Sequence, residues 1–296
     1  MASPEMRARS RLAIKTCILL SIGVYLLSSL QPGSALAQVN PPQSHDLTGV
    51  AAIQDRGRII VAMTRFDNPP FYGGDGEAFA GIDVTLAKRL GDALGVKVVF
   101  DREAPSFDEV VNRVVQGKAD IAISKLSRTY KRTAQIAFSD PYLRLRHALV
   151  FNRLRLAQLA GGRDIAGTVR SFNGTLGVIG HSSFAGFARQ RFPDAKVLAF
   201  PRWEDAVRAV IEGRVDAAYR DEFEIRKIAV DNRDATLKLR TVAISDAKDS
   251  IAMAVSWDAP RLLAIANQVI DNSPQQLTVE DLIERYRVSV GAISGE

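Results

Sequence analysis

The charged residues best placed to do chemistry in this 296-residue chain lie in two short segments, each following one of a pair of matching apolar runs. One reads Ser124-Lys125-Leu126-Ser127-Arg128-Thr129-Tyr130-Lys131-Arg132 and the other Arg220-Asp221-Glu222. A guanidinium from the first and a carboxylate from the second, facing across a cleft, would hold a carboxylate and an ammonium group together. Arginine suits the first task because its planar fork makes two parallel charge-assisted hydrogen bonds. Each residue also has a plainer role. Asp221 would cap a helix over 222–230, and Arg132 beside Lys131 would otherwise be a solvated helix residue. Catalytic groupings are weaker. Gly180-His181-Ser182-Ser183-Phe184 begins like a nucleophile elbow but ends in phenylalanine where glycine is required. No phosphate loop or dinucleotide fingerprint occurs, and the three histidines, His45, His147 and His181, lack metal-ligand spacing. No cofactor and no metal are expected.

An internal repeat is what makes the two segments equivalent. Residues 107–123 (FDEVVNRVVQGKADIAI) align without a gap on residues 203–219 (WEDAVRAVIEGRVDAAY), at an offset of 96. Each unit has an aromatic, two acids, helix-spaced apolar residues, a glycine, a base and an aspartate in one register. Lys97-Val98-Val99-Phe100 upstream is echoed by Lys196-Val197-Leu198-Ala199-Phe200. Ile59 to Met63 reads as a buried strand, residues 81–94 as a helix stopped by Gly95, and 97–100 as the next strand. Strand–helix–strand units predict an α/β fold with parallel sheets, built as two lobes of one design. In such sheets ligands bind beyond the carboxyl ends of the strands, which is where both charged segments fall.

The first 37 residues read as a secretory signal: Arg7, Arg9, Arg11 and Lys15, an apolar run of 15 residues from Thr16 to Leu30, then Ala35-Leu36-Ala37. That run is short of the ~20 residues a membrane span needs. Export to the periplasm with cleavage after Ala37 is expected, and residues 38–56 read as a flexible leader. The signal's four basic residues and one acidic residue leave +3 of the formal +6, with no basic tract for nucleic acid. The only cysteine, Cys17, lies within the signal, so no disulfide is expected.

GIDVTLAKRLGDALGVKVVF, QGKADIAISKLSRTYKR and AFSDPY, over a stretch from about Arg58 to about Tyr286, resemble the type II periplasmic solute-binding proteins of amino-acid ABC importers. The resemblance implies two Rossmann-like lobes joined by two crossing strands, at 147–151 and 251–255. Lobe 1 would take residues 57–147 and 255–296, and lobe 2 residues 148–254. It further implies that Arg132 holds a ligand α-carboxylate with help from Ser127, and that Asp221 receives the α-ammonium. The Ser124–Lys125 backbone would meet the same amino group, and Ser182 and Ser183 would offer an anion site at a helix start. Phe107 and Phe71 would shape the side-chain pocket.

The sequence departs from the family pattern at three points. Asn68 stands where a stacking aromatic is common, which leaves that role to Phe66 or to no residue. Arg65 replaces an acid found in members that take cationic ligands. His181 replaces a glycine and should contact the ligand or crowd the cleft. The expected function is capture of a polar amino acid or related zwitterion, as a monomer, for delivery to a membrane ABC permease. The alternatives are a cyclohexadienyl dehydratase-like enzyme, with Glu222 or Asp83 as its acid, and a receptor for a membrane signalling partner.

Overall fold

A computed structural model describes residues 47–232, 234–273 and 277–294. The expected signal, Cys17 and His45 lie outside the described residues. So does the leader up to residue 46, whereas Leu47–Ala51 and Ala52–Asp55 are helical and Ile53 is buried in the core. An apolar residue that finds a core folds its segment down, which a composition reading of residues 38–56 misses.

Eight strands form one mixed sheet: β1 Arg58–Thr64, β2 Lys97–Ala104, β3 Ile121–Ala122, β4 Ala137–Asn152, β5 Thr175–Ile179, β6 Lys196–Phe200, β7 Ala217–Asp221 and β8 Leu239–Val255. Their order is β2-β1-β3-β8-β4-β7-β5-β6. β1 runs parallel to β2 and β3, and β5 parallel to β6 and β7. The two parallel halves are joined by β4 and β8, which pair antiparallel from Ala137↔Val255 to Asn152↔Leu239. These are the crossing strands, much longer than the apolar pentapeptides that mark them in the sequence. The result is a two-lobed α/β fold.

Each lobe has helices on both faces of its strands. In β1, Ile59, Val61 and Met63 enter one apolar cluster, while Ala62 enters another on the opposite face. A strand covered on both sides reads as a continuous apolar run, as β1 does. Leu262, Ala266 and Val269 of the helix Pro260–Asp271 join the same cluster as β1, with Leu282 and Tyr286 of the helix Val279–Ser294. Gly81 is required where it stands: a Cβ there would lie 2.1 Å from the Phe71 carbonyl oxygen. That close approach sets the start of the helix Ile82–Leu94, which carries Asp83. No helix among the described residues is long and apolar enough to cross a membrane.

The repeat is structural. Helices Phe107–Val115 and Trp203–Ile211 each begin with their buried aromatic, and Gly117 and Gly213 follow with φ of 67° and 73°. Asp120 accepts a 2.7 Å bond from the Ile60 amide of β1, and Asp216 a 2.7 Å bond from the Thr175 amide of β5. The repeated aspartate thus pins the third strand of each lobe to the first. Asp216 also accepts from the Thr175 hydroxyl and from Arg155. Burial pushes its carboxyl up, and these donors more than offset that, so it titrates below the ordinary carboxylate range. Asp216→Ala should leave the half-buried Thr175 amide unpaired and cost about 1–3 kcal/mol. Urea unfolding measures this, and an unchanged midpoint would show that the pin carries no load.

Candidate functional site

A cleft between the two lobes encloses about 360 Å³ of atom-free space, part of it continuous with solvent. From the first lobe it is walled by Phe107, Lys125, Ser127 and Arg132. Ile179, Ser182, Ser183, Phe184, Arg220 and Asp221 face them from the second, and Asp249 comes from β8. The segments after β3 and β7 therefore do meet across one gap.

Arg132 sits in the short helix Tyr130–Thr133, whose N-cap hydroxyl, Thr129, accepts from the Arg132 amide. Its buried guanidinium donates to the Ser127 carbonyl at 3.1 Å and to Asp108 at 2.9 Å. Among the described residues these take two of its N–H groups, which leaves donors for a carboxylate. The Ser127 hydroxyl donates to Asp249 at 2.8 Å and accepts from the Ser183 hydroxyl at 2.8 Å, a bond that crosses the cleft. Ser182 occupies the N-cap of the helix Ser183–Arg191, but its hydroxyl donates to the Ile179 carbonyl instead of capping the first turn.

Asp221 both caps a helix and faces the cleft. One oxygen accepts from the Glu224 amide at 3.2 Å. The other accepts, at 2.8 Å, from the Lys125 ammonium, which also donates to Glu224 at 2.8 Å. The sequence reading assigns Asp221 to a ligand ammonium and gives Lys125 only a backbone role; in the structure the Lys125 side chain meets Asp221 directly. The difference arises from backbone geometry. Lys125 has a left-handed φ of 45°, and its amide donates to the buried Asp83 carboxylate at 2.6 Å. This turn sends the side chain across to the other lobe. Burial would raise Glu224, but Arg220, Lys125 and Lys227 together hold it well below the usual carboxylate range.

Four expected contacts do not line the cleft. Ser124 is fully buried and bonds to Tyr72 and the Thr64 amide, a strand-end role. Phe71 is core, edge-on to Phe223 at 5.7 Å. Phe66 is 40% exposed and touches the cleft only through Phe107, edge-on at 5.6 Å. His181 is exposed; its φ is 51° and its carbonyl accepts from the Asp108 amide of the other lobe, so its backbone is what matters. Arg65 and Asn68 are also off the cleft wall, Asn68 being buried in a bridge with Tyr72.

Sequence reasoning missed Arg220 and Asp249 as wall residues. Arg220 follows directly from its place beside Asp221, and its guanidinium lies 6.0 Å from the Phe107 ring and 5.5 Å from that of Trp203, the paired aromatics of the repeat. Asp249 has no local signal, because its Ser127 partner is 122 residues away. Burial, reinforced by the charge of Asp221, pushes the Asp249 carboxyl from 3.8 up to about 7. Its second oxygen is buried without a partner among the described residues. Burial likewise raises Asp83 to about 7, against hydrogen bonds from Tyr142 and the Lys125 amide.

Both carboxyls keep protons in the folded state that the unfolded chain has released. Their contribution to stability is therefore fullest below about pH 4 and declines as pH rises to about 7. Asp249→Asn should flatten that decline between about pH 5.5 and 8, by a few kcal/mol at most, since each tenfold change in proton affinity is worth about 1.4 kcal/mol. Urea midpoints at the two pH values test it; an equal slope in both proteins would contradict the assignment.

Comparison with known proteins places this geometry. The lysine/arginine/ornithine-binding periplasmic protein of Escherichia coli K12 is 25% identical over 225 residues, covering 73% of this chain and 83% of the relative. A cyclohexadienyl dehydratase of Pseudomonas aeruginosa PAO1 is 28% identical over 179 residues, 59% of this chain and 63% of the relative. An amino acid ABC transporter substrate-binding protein of Streptococcus pneumoniae, solved bound to L-arginine, superposes with a TM-score of 0.64 at 26% identity, covering 81% of this chain and 99% of its own. Residues 59–289 match the model of one family, and the chain belongs to it: the bacterial extracellular solute-binding proteins, family 3.

Proposed function

We propose that this chain is an extracytoplasmic receptor that captures a small carboxylate-bearing solute between its lobes and delivers it to a membrane permease. The observation that carries the reading is a cleft walled by both lobes, with the buried Arg132 guanidinium in it and a Ser183–Ser127 hydrogen bond across it. Arg132 is the carboxylate anchor, with Ser127 and Ser183 beside it. The lobes, residues 57–147 with 255–296 and residues 148–254, would open about β4 and β8 and close on the solute, the hinge motion by which periplasmic binding proteins enclose their ligands. The names of the relatives support a solute of amino-acid size. A thermal-shift screen of amino acids and small organic acids tests the reading, because a bound solute raises the melting temperature with occupancy. A flat response across the screen would remove it.

Asp249 favours a second reading. A buried acid in the cleft wall that keeps its proton near neutrality could protonate a departing hydroxyl, which leaves as water, as dehydration requires. Neither acid expected from the sequence suits this. Glu222 is paired with Arg146 and Arg226, Asp83 accepts a backbone bond, and neither lines the cleft. Incubation with prephenate decides: as its protonated hydroxyl leaves as water, its ring carboxylate leaves as CO2 and that bond's electron pair completes the aromatic ring, and an aromatic product lost in Asp249→Asn would establish the enzyme.

A further inference from the structure

The acidic end of the cleft already holds an ammonium group, and it belongs to the protein. Lys125 and Asp221 are equivalent positions of the repeat, 96 residues apart, and they face each other across the gap. The Lys125 ammonium meets Asp221 and Glu224 at 2.8 Å each and lies 5.0 Å and 5.2 Å from the Phe71 and Phe223 ring centroids. Two carboxylates and two aromatic faces are the chemistry with which proteins hold an ammonium group. Here that chemistry is satisfied within the chain, and the Lys125 side chain is 2% exposed.

The charges around it leave no carboxylate for a second ammonium. Asp221 and Glu224 are met by Lys125, by Arg220 at 3.7 Å and 3.3 Å, and Glu224 also by Lys227 at 3.6 Å. Three cations facing two carboxylates give this end of the cleft a positive surplus, and Arg132, paired with Asp108, stands elsewhere on the same wall. The one wall carboxyl oxygen that lacks a partner among the described residues belongs to Asp249. Of the charges that act on Asp249, the negative one of Asp221 is the strongest and those of Lys125 and Arg132 oppose it. Burial keeps Asp249 protonated, so its free oxygen suits a hydrogen bond with a hydroxyl or oxo group.

We propose that Lys125 stands in for the α-ammonium of an amino acid, and that the solute is a small carboxylate bearing a hydroxyl or oxo group in place of the amino group. The proposal rests on the receptor reading above. Arg132 takes the carboxylate, Asp249 the hydroxyl or oxo oxygen, and Lys125 with Arg220 supplies the positive field. A zwitterion would have to expel Lys125 from two buried ion pairs before it could bind.

Titration calorimetry with amino acids and their matched 2-hydroxy and 2-oxo acids tests this, on the wild type and on Lys125→Gly, a residue that accepts the left-handed backbone. In the wild type the amino-free member of the best pair should bind at least ~10-fold more tightly than its amino acid, with the order reversed in Lys125→Gly. An amino acid that binds the wild type as tightly as its amino-free counterpart overturns the proposal and leaves the receptor reading standing. A folded Lys125→Gly that keeps the wild-type order overturns the role of Lys125. Should Lys125→Gly not fold, the wild-type comparison decides alone. If no member of any series binds either protein, the receptor reading falls and the proposal with it.

Discussion

Lys125→Met is expected to lower the unfolding free energy by about 2–4 kcal/mol. Breaking a buried ion pair from one side costs about 3–5 kcal/mol, because the abandoned charge stays desolvated. Two features of the cluster soften that. Arg220 and Lys227 remain beside Glu224, and Arg220 lies 3.7 Å from Asp221. Neither replaces the 2.8 Å bond from the Lys125 ammonium to Asp221, so the loss remains large. The double variant Lys125→Met/Glu224→Gln should lose less than the sum of its parts, since the second change removes a charge that the first leaves underpaired. Chemical denaturation of the three variants measures both quantities. A Lys125→Met protein within ~0.5 kcal/mol of wild type would mean that the ammonium is not held in this cluster in solution.

Arg132→Ala should weaken binding of whichever carboxylate the cleft accepts by at least ~100-fold, or about 3 kcal/mol, while the fold survives. Truncating one member of a buried, hydrogen-bonded charge pair costs about 2–5 kcal/mol of binding. The fold is spared because Asp108, the partner of Arg132 within the protein, is partly exposed and keeps Lys131 at 3.7 Å. Arg132→Lys should recover only part of the loss, since an ammonium has one centre of charge and no fork. Calorimetry with the tightest solute, alongside circular dichroism, separates the two effects. Affinity of Arg132→Ala within ~3-fold of wild type would take the carboxylate anchor out of the account.

The two strongest effects thus fall on one pair of facing segments, and their charges differ from those a simple amino-acid clamp needs. On one side stands the Arg132 guanidinium, which we propose takes a carboxylate. On the other side the acid is already engaged, by a lysine at the position the repeat makes its counterpart. The Escherichia coli relative is named for binding lysine, arginine and ornithine. What separates this cleft from a plain ammonium acceptor is the Lys125 side chain and its left-handed backbone.

Much of the architecture was legible in the residues. The 96-residue offset between Phe107–Ile123 and Trp203–Tyr219 encoded two lobes of one design, because helix, left-handed glycine, pinning aspartate and strand are all local features with local causes. The same repeat placed Arg132 and Asp221 on one cleft, since ligand sites follow the carboxyl ends of parallel strands. The direction of the Lys125 side chain was settled by a φ of 45° and an Asp83 carboxylate 42 residues away, neither of which periodicity records. Asp249 came to the cleft only because β8 pairs with β4 along its length and so runs past Ser127. Sequence patterns report which face of an element is apolar. Which polar atoms then find each other, and which are left buried without a partner, depends on contacts between segments far apart in the chain, 42 to 122 residues in this site.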